Sequence, residues 1–130
     1  MQDDLGKLVL RLTVGALLLL HGVHKMLTGI APIEAMVVAR HLPQALAYGV
    51  YVGEIIAPVM VMLGIFARIG AGIIVVNMVM AVVLAGMSSI AQLNPMGGYA
   101  LELEAFYMLG ALSIAFLGAG RFSIAGGRWN

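Results

Sequence analysis

Four long apolar runs divide this chain, at residues 5–27, 44–66, 69–90 and 99–117. Each is close to the roughly 20 residues that cross a bilayer as a helix. The pattern predicts an all-α integral membrane protein, a single transmembrane domain over residues 1–130 built as a four-helix bundle. A few ionisable side chains lie inside the runs instead of at their ends: Arg11, His21, His24, Glu54, Glu102 and Glu104. Hydrocarbon penalises such groups, so they are expected to face the bundle interior and to mark a site or a pathway.

The connections refine the picture. Only Ala67 and Arg68 separate the second and third runs, which predicts a tight antiparallel pair. Pro58 sits inside the second run, where it must free a backbone carbonyl and kink the helix. The 28–43 connection is longer and half apolar. Pro32 suits a first helical turn, and Ile33, Met36, Val37 and Arg40 follow at helical spacing. A short helix is predicted there, lying in the interface as a passive segment or dipping back as a lid. Gly49, Gly53 and Ala57 form a small-residue stripe suited to close helix contact.

Lys and Arg set the orientation of such a bundle. Lys7, Arg11, Arg68, Arg121 and Arg128 fall on one side, against Lys25 and Arg40 on the other. Both termini are therefore expected in the cytoplasm, with residues 88–98 and the His-bearing end of the first run facing outward. The first run is too long for a signal peptide and no small-residue cleavage site follows it, so it reads as a retained anchor.

Composition agrees and excludes several classes. The chain is 62% hydrophobic and 10% charged, with a mean hydropathy of +1.06, more than a soluble protein of this size could bury. A net charge of +1 without a basic run argues against nucleic-acid binding. Cysteine is absent, so the chain has no thiolate chemistry of its own. Ten methionines read as adaptable packing, and Trp129 as an interface anchor.

Depth then groups the polar residues. His21, His24 and Lys25 crowd the outer third of the first run and share one broad face. Glu54 falls about 15 Å down the second run at 1.5 Å per residue, near the midplane, with Tyr51 one turn above it. Glu102 and Glu104 lie about 160° apart around their helix, so only one can face inward. Glu104 shares its face with Tyr107 and is assigned inward, leaving Glu102 to reach the interface. Arg11 and Asn77 occupy the inner half. Arg11 is expected to pair with Glu54, the alternative being a side chain that snorkels toward Lys7. Bland readings stand beside these: interfacial roles for His24 and Lys25, and an interhelical hydrogen bond for Glu54. His21, His24, Glu54 and Glu104 could ligate a metal, but no Glu-x-x-His pair supports this and none is assigned.

Taken in order, Arg11-Leu-x-x-Gly15, His21-Gly22-x-x-Lys25, Glu54, Leu63-Gly64-Ile-Phe66-Ala-Arg68 and Gly118-x-Gly120-Arg121-Phe-Ser123 resemble the DoxX family of small four-span bacterial membrane proteins. The resemblance runs from about Leu5 to Ser123. It implies an inner-membrane protein that serves as a subunit or partner of a quinone-linked oxidoreductase, and relatives resembling DoxD are associated with thiosulfate oxidation by quinone. Arg11, His21, Lys25, Glu54 and Arg68 inherit whatever role the family gives those positions.

The leading expectation is a quinone-linked component in which Glu54 and His21 exchange protons. Arg11, His24, Lys25, Tyr51, Asn77, Glu104 and Tyr107 would complete the ligand pocket. No covalent cofactor is expected; a quinone is the candidate ligand, and electrons must come from a soluble or membrane oxidoreductase partner. Two other readings remain open: a proton-coupled small-molecule carrier, and a non-catalytic scaffold whose polar core sets helix register. The lipid bilayer is the other implied partner, and a homo-oligomer is compatible with the small-residue stripes.

Overall fold

The computed structural model describes residues 1–86, 91–127 and 129–130. Its elements are helical: α1 (Gln2–Thr28), α2 (Ala31–Ala39), α3 (Gln44–Leu63), α4 (Ala67–Leu84) and α5 (Glu102–Leu117). Three of them, α1, α3 and α4, are long and apolar enough to cross a membrane. Only 28%, 33% and 28% of their apolar windows is buried by the protein itself, so most of that surface needs lipid. This is a helical membrane protein. The expected ends of the third run at Ile90 and of the outer loop at Ser88 and Ser89, and Arg128, lie outside the described residues.

The long helices pack in a ring, α1 against α3, α3 against α4, α4 against α5 and α5 back against α1. Their common core is Val14 and Leu18, Ala57 and Val61, Ala71, Ile74 and Met78, and Tyr107, Ala111 and Ile114. Outward lies an apolar belt that includes Val9, Leu20, Val76, Phe106 and Phe116. The buried stripe of α1 runs Arg11, Gly15, Leu18, Gly22, the 4-3-4 spacing of a helix seam. Close approach depends on two of its glycines. A Cβ at Gly15 would come within 2.9 Å of the Pro58 carbonyl oxygen, and one at Gly22 within 2.7 Å of the Glu54 carbonyl carbon.

Several expected boundaries shift, each for a local reason. α3 ends at Leu63 because Gly64 takes a left-handed φ of 73°. The turn is therefore residues 64–66, and Ala67 and Arg68 open α4 instead of linking the runs. α5 starts at Glu102, since Asn94 caps the turn before it with its side-chain oxygen on the Met96 and Gly98 amides, 3.0 Å each. In the small-residue stripe, Gly53 and Ala57 are buried while an added Cβ at Gly49 would meet nothing.

α2 forms where Pro32 predicts it, with Pro in its first turn. It packs on the first turns of α3, where Ile30, Val37 and Ala47 make a second small core. Arg40, at its end, donates to the Val83 carbonyl of α4 at 2.7 Å.

Pro58 changes α3 through a wider turn. It has no N–H to return to the carbonyl of Glu54, four residues back. Residues Val52–Ile56 form a π-helical turn, with the Ala57 amide reaching back to Val52. Such turns are frequent at functional sites.

Candidate functional site

Glu54 lies within that π turn and is 3% exposed. Its carboxylate is the floor of a polar spot between α1 and α3, and its partner is Lys25. The Lys25 ammonium donates to both Glu54 oxygens, 2.6 Å to each, with side-chain exposures of 28% and 5%. Lys25 continues the 4-3-4 stripe of α1 by one more step of three, so its stem follows the seam and its head reaches inward. The Tyr51 hydroxyl approaches the Lys25 carbonyl at 3.5 Å, and Tyr51 rests against Tyr48, ring centroids 6.2 Å apart.

The pair closes one end of a cavity of about 630 Å³. α2 roofs it with Ile33, Met36 and Val37, while α3 contributes Val50 and Gly53. The long wall is a stripe of α4 from Ile69 through Gly72, Ile73, Val76 and Met80 to Leu84, about 22 Å of helix. Asn77 adds a second polar group. Its amide nitrogen is buried and has no hydrogen-bond partner among the described residues, and Asn77 packs beside Gly53, where a Cβ would meet the Asn77 Cγ at 2.5 Å. An apolar trough therefore ends in a self-neutralised ion pair and one unused donor.

The other side of Glu54 leads to α5. Tyr107 is 8% exposed and lies within range of the Glu54 charge. His21 meets its ring edge-on, centroids 5.8 Å apart and planes at 84°. A second cavity of about 410 Å³ opens there between α1 and α5, lined by Val14, Leu17, Glu102 and Phe106 as well as Tyr107.

The chain matches the DoxX family model over residues 6–87, more than half its length. It belongs to the DoxX family. Neither the curated proteins nor the solved structures give a match. The matched region of this DoxX protein holds His21, Lys25, Glu54 and Asn77, whereas Tyr107 and the 118–123 motif lie beyond it.

The polar positions of this DoxX protein divide into two groups at different depths. Lys25, Glu54 and Asn77 line the cavity end, Tyr51 sits beside Lys25, and Tyr107 lines the second cavity on the far side of Glu54. His21, expected to face inward, is exposed and touches only the Tyr107 ring edge among these groups. Arg11 lies apart from them. The expected Arg11–Glu54 pair is absent, because Gly22 is level with Glu54 and Arg11 lies eleven residues away, about 16 Å along α1. Arg11 is 1% exposed and donates to four carbonyls: Val61 at 2.9 Å, Met62 at 2.9 Å, Ala119 at 2.7 Å and Phe122 at 2.7 Å. Two of these end α3, where the last helical carbonyls have no internal partner. Two belong to the glycine-rich turn after α5, which Ser123 braces by donating to Gly120 and Ala125. Arg11 is thus a latch between α3 and the segment after α5. Arg68 serves α5 similarly, donating to Ala115 at 2.9 Å and Phe116 at 3.0 Å.

His24 is exposed on α1, turned away from the pair. Glu104 is half-buried on α5, outside the lining of both cavities. Glu102 is exposed and lies against Gly98. Among the described residues no three His, Asp or Glu side chains gather as metal ligands. The trough itself escaped the sequence reading. Its trace was Gly72 within a run of Ile, Val and Met at steps of three and four, with Asn77 beside it.

Proposed function

We propose that this protein is a four-span inner-membrane component of a quinone-linked oxidoreductase, that it binds the quinone in the α2–α3–α4 cavity, and that both termini are cytoplasmic. α5 is the fourth span and α2 an interfacial or re-entrant lid over the cavity. The observation that carries the reading is an apolar trough ending in a Lys25–Glu54 pair whose carboxylate is buried. A lipid quinone has the matching shape, an apolar tail and a head that accepts hydrogen bonds and protons.

Reduction of a quinone to a quinol takes two electrons and two protons. The electrons come from a partner oxidoreductase. Lys25 and Asn77 hold the carbonyl oxygens by donation, and the Glu54 carboxylate takes up a proton and hands it to the reduced head, twice in succession, so that two protons arrive with the two electrons. Tyr107 and His21, on the far side of Glu54, return each proton from the outer face.

The test is direct. The protein is purified in mild detergent and extracted with organic solvent, and its quinone content is measured. About one quinone per chain is expected, falling severalfold in Glu54→Gln. A quinone-free extract together with no binding of added quinone would falsify the reading, and proton-coupled solute uptake in vesicles would point to a carrier instead.

A further inference from the structure

The cavity end has an unusual balance of unmet hydrogen-bonding capacity. Both Glu54 oxygens are taken by Lys25. The buried polar atom left without a partner at this end, among the described residues, is a donor, the Asn77 amide nitrogen, and Lys25 keeps one N–H beyond the two it gives to Glu54. The charges of Lys25 and Glu54 cancel within 2.6 Å. A ligand head that offers an acceptor to the orphaned donor and brings no net charge therefore fits this end best. A carboxylate or phosphate head would find Lys25 already neutralised and Glu54 opposing it, with apolar walls on the remaining sides. An unpaired charge in such surroundings is strongly disfavoured.

We propose that the cavity selects neutral, carbonyl-headed, single-chain amphiphiles over anionic ones, and that the Asn77 amide is the specificity-determining donor. The carbonyl oxygen accepts from Asn77. The tail runs along the α4 stripe of Ile73, Val76 and Met80, which belongs to the lipid-facing side where Val76 is 62% exposed, so the ligand enters sideways from the bilayer. The inference rests on the reading that this cavity holds a ligand, but it concerns head-group charge and not redox chemistry.

Three probes with matched chains separate the two ideas: a decyl benzoquinone, 2-dodecanone and dodecanoate. Their binding to the full-length protein in detergent is measured by equilibrium dialysis at neutral pH. Both neutral probes are expected to bind at least tenfold more tightly than dodecanoate. Asn77→Leu should weaken the neutral probes about five- to tenfold, the effect of one hydrogen bond, and leave dodecanoate unchanged. Asn77→Ser, which keeps a donor, should recover part of the loss. Dodecanoate binding as tightly as the ketone overturns the proposal, as does an equal loss for all three probes in Asn77→Leu. Should the ketone bind selectively and the quinone fail to bind, the head-group rule stands and the quinone function falls. If Asn77→Leu does not fold, the wild-type ranking of the three probes still decides.

Discussion

At the scale of single residues, Lys25 and Glu54 depend on each other. Removing one partner of a buried ion pair leaves the other charge uncompensated, at about 3–5 kcal/mol, whereas replacing both with apolar groups is often neutral or stabilising. Lys25 is 28% exposed on its side chain, which places its removal toward the lower end. Lys25→Met should therefore lower stability clearly, and Lys25→Met with Glu54→Leu should regain most of it. Unfolding in detergent measures both. A double variant no more stable than the single would mean that the pair is not the reason Lys25 matters. Loss of bound quinone in the restored double variant would then separate function from folding.

The same scale shows where residue reading succeeds and where it stops. Glu54 is legible in the sequence because a carboxyl near the midplane must find a partner inside the bundle, whether its role is structural or functional. Lys25 and His24 looked equivalent in sequence, yet adjacent helix positions differ by about 100°. That rotation is enough to carry Lys25 into the seam with α3 and leave His24 exposed. Arg11 and Glu54 fall at similar depths only when each helix is measured from its own end, and the docked helices place them about 16 Å apart along α1. The relative heights of α1 and α3 are set by Gly22 meeting the Glu54 carbonyl, and that contact is invisible before the helices are docked.

At the scale of elements, glycine and proline chemistry controls how α3 is shaped and seated. Pro58 withholds a donor from the Glu54 carbonyl, and Gly22 lets α1 approach that carbonyl closely enough for a Cα–H contact. Gly22→Ala should be costly for so small a change. Its methyl would press on backbone, which cannot rotate away, and overpacking of this kind costs about 1–3 kcal/mol. The expected signature is a lowered unfolding midpoint together with weakened Lys25–Glu54 pairing. Gly49→Ala, with open space at its Cβ, is the matched control and should be neutral; equal effects at the two glycines would rule out the close contact.

Arginine latches work at this scale too. Arg11 and Arg68 satisfy carbonyls in the last turns of α3 and α5, and Arg40 satisfies the Val83 carbonyl of α4. In sequence they read as a charge bias or as site residues, since no pattern says which carbonyl a guanidinium will find. Arg11→Met gives up four charge-assisted bonds, of which any one contributes about 1.5–3 kcal/mol. A total loss of at least about 3 kcal/mol is expected. Arg11→Lys should restore little, because a single ammonium cannot fork to four acceptors. Proteolysis should become faster in residues 118–125, while quinone bound per folded molecule stays constant. Selective loss of quinone with an intact 118–125 segment would return Arg11 to the site.

At the scale of the whole molecule, apolar run length is enough to foresee a helical membrane protein. The first helix extends past its apolar run to Gln2–Thr28, and the ends beside Gly64 and Asn94 move because those residues impose turns. What run length could not foresee was a trough built from three elements, because its walls are ordinary Ile, Val and Met. Orientation now decides what the trough is for. Lys25 and the mouth under α2 lie at the end of the bundle opposite the Arg11 latch, and the excess of Lys and Arg lies on the latch side. In the orientation proposed from the positive-inside bias, that latch faces the cytoplasm. The chain has no cysteine, so single cysteines report topology cleanly, and Gln2 and Met96 are both exposed, Met96 at 93%. In intact cells an impermeant thiol reagent should label Met96→Cys and spare Gln2→Cys, with both labelled after permeabilisation. The reverse pattern would turn the molecule over. Glu54 would then exchange its proton with the cytoplasm, and the partner that supplies electrons would be sought on the opposite face.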